Sequence, residues 1–357
     1  MTRRHDLRLF DDFVRTDMEF ANRTEEGFDW WNRFARADVA AMRDELEYWF
    51  GRYCPNDAHR LRREFRSSRR PQHVAALFEL FIHENLLKLG FTVECQVALA
   101  TSANVPDFLV FANGQPSFYV EAKAKLESTK EVVAERRKQE VLEAVRHMRS
   151  PDFFVSVTMY GTPSTSINKS SLVRKLTQWL ANLDHDHEVV RRARDPYASG
   201  PTFTWPEVAE GFSFEFRAYP RGDSRGREFG AFLASEMDGH ARLEPTDRMI
   251  ADAVEKKGGK YAGLSLPYLI AIDLMDFTTD ADDVELGLLE AWGTDAAPKG
   301  QLVSGVLLAN VPNMSAAVAH IPHLVLNPMA EHPLGEHAAA FTPFTSHLRT
   351  RLTAPTP

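Results

Sequence analysis

Two carboxylates and a lysine lie close together in one short stretch of the sequence. Asp107 follows Val105-Pro106, and Glu121 and Lys123 are two residues apart in Val120-Glu121-Ala122-Lys123. Carboxylate oxygens are the hard ligands that Mg²⁺ prefers, with further positions left for water and phosphate. The metal lowers the pKa of a bound water, and an adjacent lysine orients or deprotonates that water and offsets phosphate charge. These residue types suit metal-dependent hydrolysis of a phosphodiester.

A β-hairpin is predicted to position this trio. Asp107–Phe111 and Ser117–Ala122 read as strands around Asn113-Gly114-Gln115-Pro116, and Asn-Gly between apolar runs is a strong hairpin signal. A loop of three or four residues centred near Gly114–Gln115 sets Asp107 opposite Glu121 or its neighbour, about 5 Å away. Because strand side chains alternate, Glu121 and Lys123 share a face, and the apolar residues between them point into a core.

Glu79 is a candidate third carboxylate. The sequence predicts a helix over Gln72–Leu89, with Glu84 and Lys88 as an exposed i,i+4 pair. At 100° per residue, Glu79 lies about 140° from Glu84, on an apolar face. A carboxylate there is expected to be paired, hydrogen-bonded or near a metal. Glu79 either joins the hairpin carboxylates or accepts from a buried arginine or a backbone amide.

At these residues the chain resembles the PD-(D/E)XK nuclease superfamily. The resemblance rests on Glu79-Leu80, Pro106-Asp107 and Glu121-Ala122-Lys123, in that order, and covers about residues 72–123. It implies a restriction-endonuclease-like α/β fold, a mixed central sheet flanked by helices. It also implies that Asp107, Glu121 and the Ala122 carbonyl bind a first metal, Mg²⁺ with Mn²⁺ as a substitute. Lys123 would act on the attacking water, and Glu79 would contact a second metal or a water.

The same resemblance implies a substrate and leaves one branch of the superfamily unsupported. The expected activity is an endonuclease acting on nucleic acid, most directly DNA, with a role in bacterial defence and a homodimer if both strands are cut. Position 143 is Glu143, so Gln139 does not begin the Gln-X-X-X-Tyr signature of the exonuclease branch. The alternative is a nuclease-fold module that binds nucleic acid or a protein partner without cleaving. A purely structural interaction protein would leave Glu79 unexplained.

A basic run precedes the Glu79 helix. Arg62, Arg63, Arg66 and Arg69 could hold phosphates through bidentate guanidinium contacts. The other interpretation is a solvated helix face paired with acidic residues of the N-terminal region, and the sequence does not choose between the two.

Two further groups are weighed against simpler interpretations. Lys256, Lys257 and Lys260 could meet a phosphate, but a charged helix C-terminus is the favoured interpretation. His185 and His187, and likewise His320 and His323, have no supporting metal ligands nearby in the sequence and are not expected to bind a metal.

The remaining pattern alternates helices and strands, which predicts an α/β protein. Residues 1–70 form a predicted helical region for binding or assembly, with one helical pattern over Phe28–Tyr53. Residues 71–348 form the nuclease-like domain with long polar loops at 184–211 and 220–245, and 349–357 a disordered tail. The further predicted helices are Thr129–Met148, Ser170–Leu183, Thr246–Lys257 and Asp282–Trp292. The further predicted strands are Phe91–Leu99, Phe153–Met159, Phe212–Tyr219, Pro267–Leu274, Leu302–Leu308 and His323–Leu326.

Composition is that of a soluble globular chain. Of 357 residues, 44% are hydrophobic and 26% charged, and no run approaches the ~20 apolar residues of a membrane span. The net charge of −8 argues against a protein that coats nucleic acid over its whole surface but allows a local groove. Cys54 and Cys95 are far apart and lack CxxC spacing, so neither a disulfide framework nor a zinc site is expected, and a reducing cytoplasm is predicted.

Overall fold

A computed structural model describes residues 7–19, 25, 27–99, 104–123, 129–161, 167–195, 199–205, 212–222, 232–237, 246–261, 263–273, 281–294, 297–309 and 322–344. The chain divides into two compact units. The first comprises residues 1–20, 26–126 and 244–357, and the second residues 21–25 and 127–243. The predicted tail and His320 lie outside the described residues.

The elements are numbered along the chain. The helices are α1 (Gly27–Arg33), α2 (Ala37–Phe50), α3 (Ala58–Phe65), α4 (Arg70–Lys88), α5 (Thr129–Arg146), α6 (Lys169–Ala181), α7 (His185–Arg194), α8 (Thr246–Gly258) and α9 (Ala281–Trp292). The strands are β1 (Thr92–Cys95), β2 (Phe108–Ala112), β3 (Gln115–Lys123), β4 (Phe153–Gly161), β5 (Thr202–Trp205), β6 (Phe212–Pro220), β7 (Phe232–Met237), β8 (Tyr268–Asp273), β9 (Gly293–Thr294), β10 (Ala297–Pro298), β11 (Gly305–Ala309), β12 (His323–Leu326) and β13 (Thr342–Pro343).

The first unit is built on a mixed seven-stranded sheet flanked by helices, as expected for an α/β protein. Its strand order is β1-β2-β3-β8-β11-β12-β13. β1, β2 and β3 pair antiparallel, whereas β3, β8 and β11 run parallel. The buried run Tyr268–Asp273 therefore forms a central strand, and burial on both faces is the reason that it lacks polar alternation.

Each face of this sheet has its own apolar core. Phe118 and Val120 of β3 pack with Phe78 and Phe81 of α4 in one core. Tyr119 of β3 and Ile270 of β8 belong to the other core, which also contains residues of α8 and α9. Alternation along β3 therefore directs Glu121 and Lys123, like Tyr119, to the α8–α9 face.

The predicted hairpin is present, but its loop is shorter than expected. Asn113 and Gly114 alone join β2 to β3, with φ of 50° and 77°. Two successive positive φ angles are those of the tight primed turns that Asn-Gly favours. A β-bulge then compensates for the shorter loop, because Val110 pairs with Phe118 while Phe111 pairs with Pro116.

The prediction that α4 exposes Glu84 is wrong. Glu84 is fully buried, and its Oε1 accepts a hydrogen bond from Arg52 at 2.8 Å. Lys88 instead lies over the Trp49 ring and 4.0 Å from Glu45. The reason is tertiary, since α2 and α3 pack on α4 and cover the face that a single amphipathic helix would leave in water.

Residues 1–70 share a core with the sheet. Leu46, Trp49 and Phe50 of α2 pack in the same cluster as Phe78 of α4 and Phe108 of β2. The single helical pattern predicted over 28–53 is two helices, α1 and α2, separated by Phe34-Ala35-Arg36.

The second unit contains a four-stranded sheet in the order β5-β6-β4-β7. Stretches 184–211 and 220–245, predicted as loops, contain α7, β5 and β7, so that prediction is wrong there. Asp184 caps α7 by accepting from the backbone N–H of His187 at 3.0 Å, and Arg191 pairs with Glu188 at 2.7 Å. The helix was missed because its stabilising signals are a cap and charge pairs rather than a wide apolar stripe.

The two cysteines are joined, contrary to expectation. Cys54 and Cys95 form a disulfide with Cα atoms 5.9 Å apart and a sequence separation of 41. The inference of a reducing setting rested on these cysteines being separate, so it loses that support. No helix among the described residues is long and apolar enough to cross a membrane.

Candidate active site

The bulge in β3 decides which side chain faces Asp107. Ser117 is the extra residue, and its Oγ accepts from the Ala112 N–H at 3.1 Å and donates to the Gln115 carbonyl at 2.9 Å. The register beyond it pairs Phe108 with Val120, which puts Asp107 across from Glu121. Without the bulge, the register would slip by one residue and place Asp107 across from Val120.

Asp107 is held by backbone and amide donors. Its Oδ2 accepts from the Ala122 N–H at 2.8 Å, and its Oδ1 accepts from Gln96 Nε2 at 3.2 Å. Gln96 has a φ of 53°, and its backbone N–H donates to the Asp107 carbonyl at 3.0 Å. Burial, and then the negative charges of Glu79 and Glu121, raise the pKa of Asp107 to about 7. Glu79 and Glu121 are therefore each close enough to repel an ionised Asp107.

Glu121 is buried within a ring of donors. It is 1% exposed, and its Oε1 accepts from Lys257 and, at 2.8 Å, from Lys260. The Tyr261 hydroxyl lies against Oε2 and 2.8 Å from the Val105 carbonyl. Burial alone would raise the pKa of Glu121, but the two ammonium groups and the hydroxyl outweigh burial and lower it. Glu121 is therefore ionised.

Lys123 lies at the end of β3 among other cations. It is partly buried, and within the described part of the chain it has no hydrogen-bond partner. Burial, followed by the charges of Lys257 and Lys256, lowers the pKa of the Lys123 ammonium. A lysine with a depressed pKa loses its proton more readily than an exposed lysine, which is what a base acting on water requires.

Of the two alternatives given for Glu79, the structure shows the contact with an arginine. Its Oε1 accepts from the Tyr53 hydroxyl at 2.5 Å and from Arg60, which also pairs with Asp57 and Glu64. Burial raises the pKa of Glu79, and Arg60 and Tyr53 oppose that rise. Glu79 nonetheless acts electrostatically on Asp107, so it is both a structural ion-pair partner and a member of the carboxylate group.

The carboxylate oxygens of Asp107 and Glu121 suit a hard dication, but lysine side chains compete with a metal for one of them. Two carboxylates face each other across the hairpin, and a bound cation would relieve the repulsion that raises the pKa of Asp107. Lys257 and Lys260 already occupy Glu121 Oε1, so a metal must compete with ammonium for that oxygen. Magnesium, with oxygen ligands and several retained waters, is the cation that this chemistry favours.

The basic run divides into two pairs. Arg62 donates to the Arg8 carbonyl, and Arg66 donates to the Leu9 carbonyl at 2.7 Å and pairs with Asp11 at 2.8 Å. Arg63 and Arg69 are exposed. Arg62 and Arg66 therefore hold the N-terminal segment, as in the second interpretation of the run, and Arg63 and Arg69 are the pair available to phosphate.

We expect only the exposed pair to change binding to nucleic acid. Replacing both Arg63 and Arg69 with Gln should reduce the slope of log affinity against log salt by roughly 2, since each lost phosphate contact releases about one counterion fewer. Replacing Arg62 and Arg66 with Gln is the matched control and should lower the melting temperature while keeping the slope. Equal slopes for wild type and both variants would exclude the run from the interface.

Four side chains around the site are not among the predicted catalytic residues. Lys257 and Lys260 were interpreted as a charged helix end, and only Lys256 of that group is exposed. Tyr261 and Gln96 carried no recognisable signal, because each reaches the site from outside the hairpin. His185 contacts the Arg221 carbonyl at 2.8 Å, and His323 lies on β12.

Comparisons with protein-family models, with curated proteins and with solved structures gave no match. The chemistry of these side chains is therefore the guide to what the protein does.

Proposed function

We propose that this protein is a Mg²⁺-dependent nuclease of the restriction-endonuclease-like type that hydrolyses phosphodiester bonds, most directly in DNA. The observation that carries the proposal is the placement of Asp107 across from Glu121, with Lys123 beside them and three further lysines within electrostatic reach. Carboxylates alone occur in many kinds of site, whereas carboxylates bordered by four lysines can bind a metal and a phosphate together.

The lysines favour a phosphate-bearing substrate. Burial, and then repulsion from Lys257 and Lys256, lowers the pKa of Lys123, so this grouping has an electrostatic cost in the free protein. A bound phosphate would relieve that repulsion, and each lysine serves as a compact point charge for it. The overall charge of −8 is not an obstacle, since only the charges near the phosphates decide.

Each side chain has a stated task in this proposal. Asp107, Glu121 and the Ala122 carbonyl would hold Mg²⁺, or Mn²⁺ in its place, and Glu79 would contact a second metal or a water. The metal would supply Lewis acidity and a more acidic bound water. Lys123 takes a proton from, or orients, the attacking water. Tyr261 and Lys260 keep Glu121 ionised and fixed, and Gln96 fixes Asp107.

A module that binds nucleic acid without cutting is the second candidate. The engagement of Glu121 by Lys257 and Lys260 favours it, because a carboxylate neutralised by two ammonium groups needs no metal for charge balance. Lys123, which no described carboxylate neutralises, favours the first candidate.

A metal-dependence assay separates the two candidates. Purified protein is incubated with supercoiled plasmid, linear duplex and single-stranded DNA in EDTA, Mg²⁺, Mn²⁺ or Ca²⁺. We expect strand cleavage with Mg²⁺ and Mn²⁺ only, with loss of activity in the Asp107→Asn variant and full activity in Glu94→Gln, an exposed carboxylate on β1. Cleavage that persists in Asp107→Asn would trace the activity to a contaminant. Binding without cleavage under every metal condition would establish the second candidate.

The same assay on a circular single strand and on RNA defines the substrate. Cutting of circles shows an endonuclease, which the absence of the Gln-X-X-X-Tyr signature favours. Duplex breaks with a concentration-dependent rate would indicate a homodimer, since one site per chain cuts one strand at a time.

A further inference from the structure

A second group of metal-binding side chains lies in the first unit. Cys54 follows α2, His83 lies on α4 and Cys95 ends β1, and their candidate ligand atoms all lie within 4.8 Å of one another. All three residues are buried. Cys54 and Cys95 are the only cysteines of the chain, and the fold brings both of them next to the imidazole of His83.

We propose that Cys54, Cys95 and His83 form a redox-gated zinc site, which holds Zn²⁺ when the cysteines are reduced and releases it when they form the disulfide. Two thiolates and one imidazole are a donor set that zinc prefers. The disulfide and the metal are alternatives, because sulfurs joined to each other have no thiolate to offer.

The buried imidazole of His83 is the feature that favours a bound metal at this group. It is 2% exposed, its Nδ1 has no hydrogen-bond partner among the residues that the structure describes, and its Nε2 lies 3.8 Å from Cys54 Sγ. Nε2 is the nitrogen that faces Cys54, so it is the one that would bind a metal shared with the cysteines.

The surroundings allow a fourth ligand. A pocket of about 500 Å³ adjoins the group and is lined by the three residues together with Asn56, Glu94 and Gln96. A water in this pocket would complete a tetrahedral site. None of the three ligand residues belongs to the hairpin carboxylate and lysine set, so the zinc site does not depend on the proposed nuclease activity.

The exchange balances with a dithiol reductant. The reductant cleaves the S–S bond by giving two electrons and two protons, so that Cys54 and Cys95 become thiols and its own two thiols become a disulfide. Zinc binding then releases both thiol protons to the solvent. A small-molecule disulfide reverses the sequence: it takes two electrons from the Cys54 and Cys95 thiolates and two protons from the solvent, becomes two thiols, and leaves the two cysteines joined and the metal released.

The test uses the full chain. Protein is reduced with a dithiol, freed of reductant anaerobically, and titrated with Zn²⁺ against a chromogenic chelator, and with Co²⁺ for its spectrum. We expect about one Zn²⁺ per reduced chain, none per oxidised chain, and a thiolate-to-cobalt charge-transfer band. His83→Gln should weaken zinc binding at least about tenfold, and Cys54→Ser and Cys95→Ser should each remove the band.

The matched control is His73→Gln. His73 lies on the same helix, is 4% exposed and bonds the Phe65 carbonyl, so it tests whether any buried histidine on α4 has the same effect. Zinc affinity should be unchanged in this variant. Equal losses in the two histidine variants, a reduced wild type that takes up no zinc, or a reduced chain that stays unfolded by circular dichroism with Zn²⁺ present would each overturn the proposal.

Discussion

Replacing Lys123 with methionine is expected to lower the rate of Mg²⁺-dependent DNA cleavage by roughly 10²- to 10⁴-fold, the range that one positioned acid–base group contributes. This corresponds to about 3–5 kcal/mol of transition-state stabilisation. Methionine matches the length of the lysine stem, so the loss isolates the amine. Burial and the nearby lysines lower the pKa of Lys123, which suits it to act on water.

Two companion variants define what the amine does. Lys299→Met removes an exposed lysine outside the site and should leave the rate unchanged. Lys123→Arg keeps the positive charge but cannot lose its proton in the assay range. Recovery of activity in Lys123→Arg would assign Lys123 to charge stabilisation, and continued inactivity would assign it to proton transfer. A Lys123→Met protein that cuts at the wild-type rate would remove Lys123 from the mechanism.

Asp107→Asn should stabilise the metal-free protein, and more so at pH 8 than at pH 5. Folding raises the pKa of Asp107 from 3.8 to about 7, so the native state binds more protons than the unfolded state between those values. The stability of the wild-type protein therefore falls as the pH rises through this window. Above pH 7 the ionised Asp107 carboxylate lowers the free energy of unfolding by the full amount. At 1.36 kcal/mol per pKa unit, that cost is on the order of 4 kcal/mol.

Thermal or urea unfolding in EDTA at several pH values measures this effect. The free energy of unfolding of the variant is compared with that of the wild type at pH 8 and at pH 5, and the informative quantity is the change in this difference between the two pH values. A single pH is not enough, because asparagine also alters the hydrogen bonds to Gln96 and Ala122. Glu94→Gln should show no such pH dependence. Mg²⁺ should stabilise the wild type more than Asp107→Asn. A pH-independent difference would mean that Asp107 is not in a carboxylate cluster.

The hairpin shows how far a local pattern reaches. Asn113-Gly114 and the flanking apolar runs correctly predicted β2, β3 and the approach of Asp107 to Glu121. The loop length was wrong by at least one residue, and the bulge at Ser117 restored the register. Bulge placement depends on a serine hydroxyl bonding two backbone groups, and no periodicity in the sequence encodes that.

The helix α4 shows the opposite case. Its existence and the burial of Glu79 followed from apolar spacing, yet the same spacing placed Glu84 in water. Helical geometry fixes the angle between two side chains, but it does not say how many neighbours the helix will have. Helices α2 and α3, and the partners Arg52 and Arg60 near them, decided the environment of both glutamates.

By itself, the sequence determined what depends on neighbours along the chain: the α/β alternation, the hairpin, and the carboxylate–lysine set of Asp107, Glu121 and Lys123. Only the tertiary structure decided which distant groups meet that set, namely Gln96 at Asp107 and the trio of Lys257, Lys260 and Tyr261 at Glu121. It also joined Cys54 to Cys95 beside His83. The physical reason is that propensity and periodicity are local, whereas pKa values, ion pairs and ligand sets depend on desolvation and charge contributed by segments far apart in sequence.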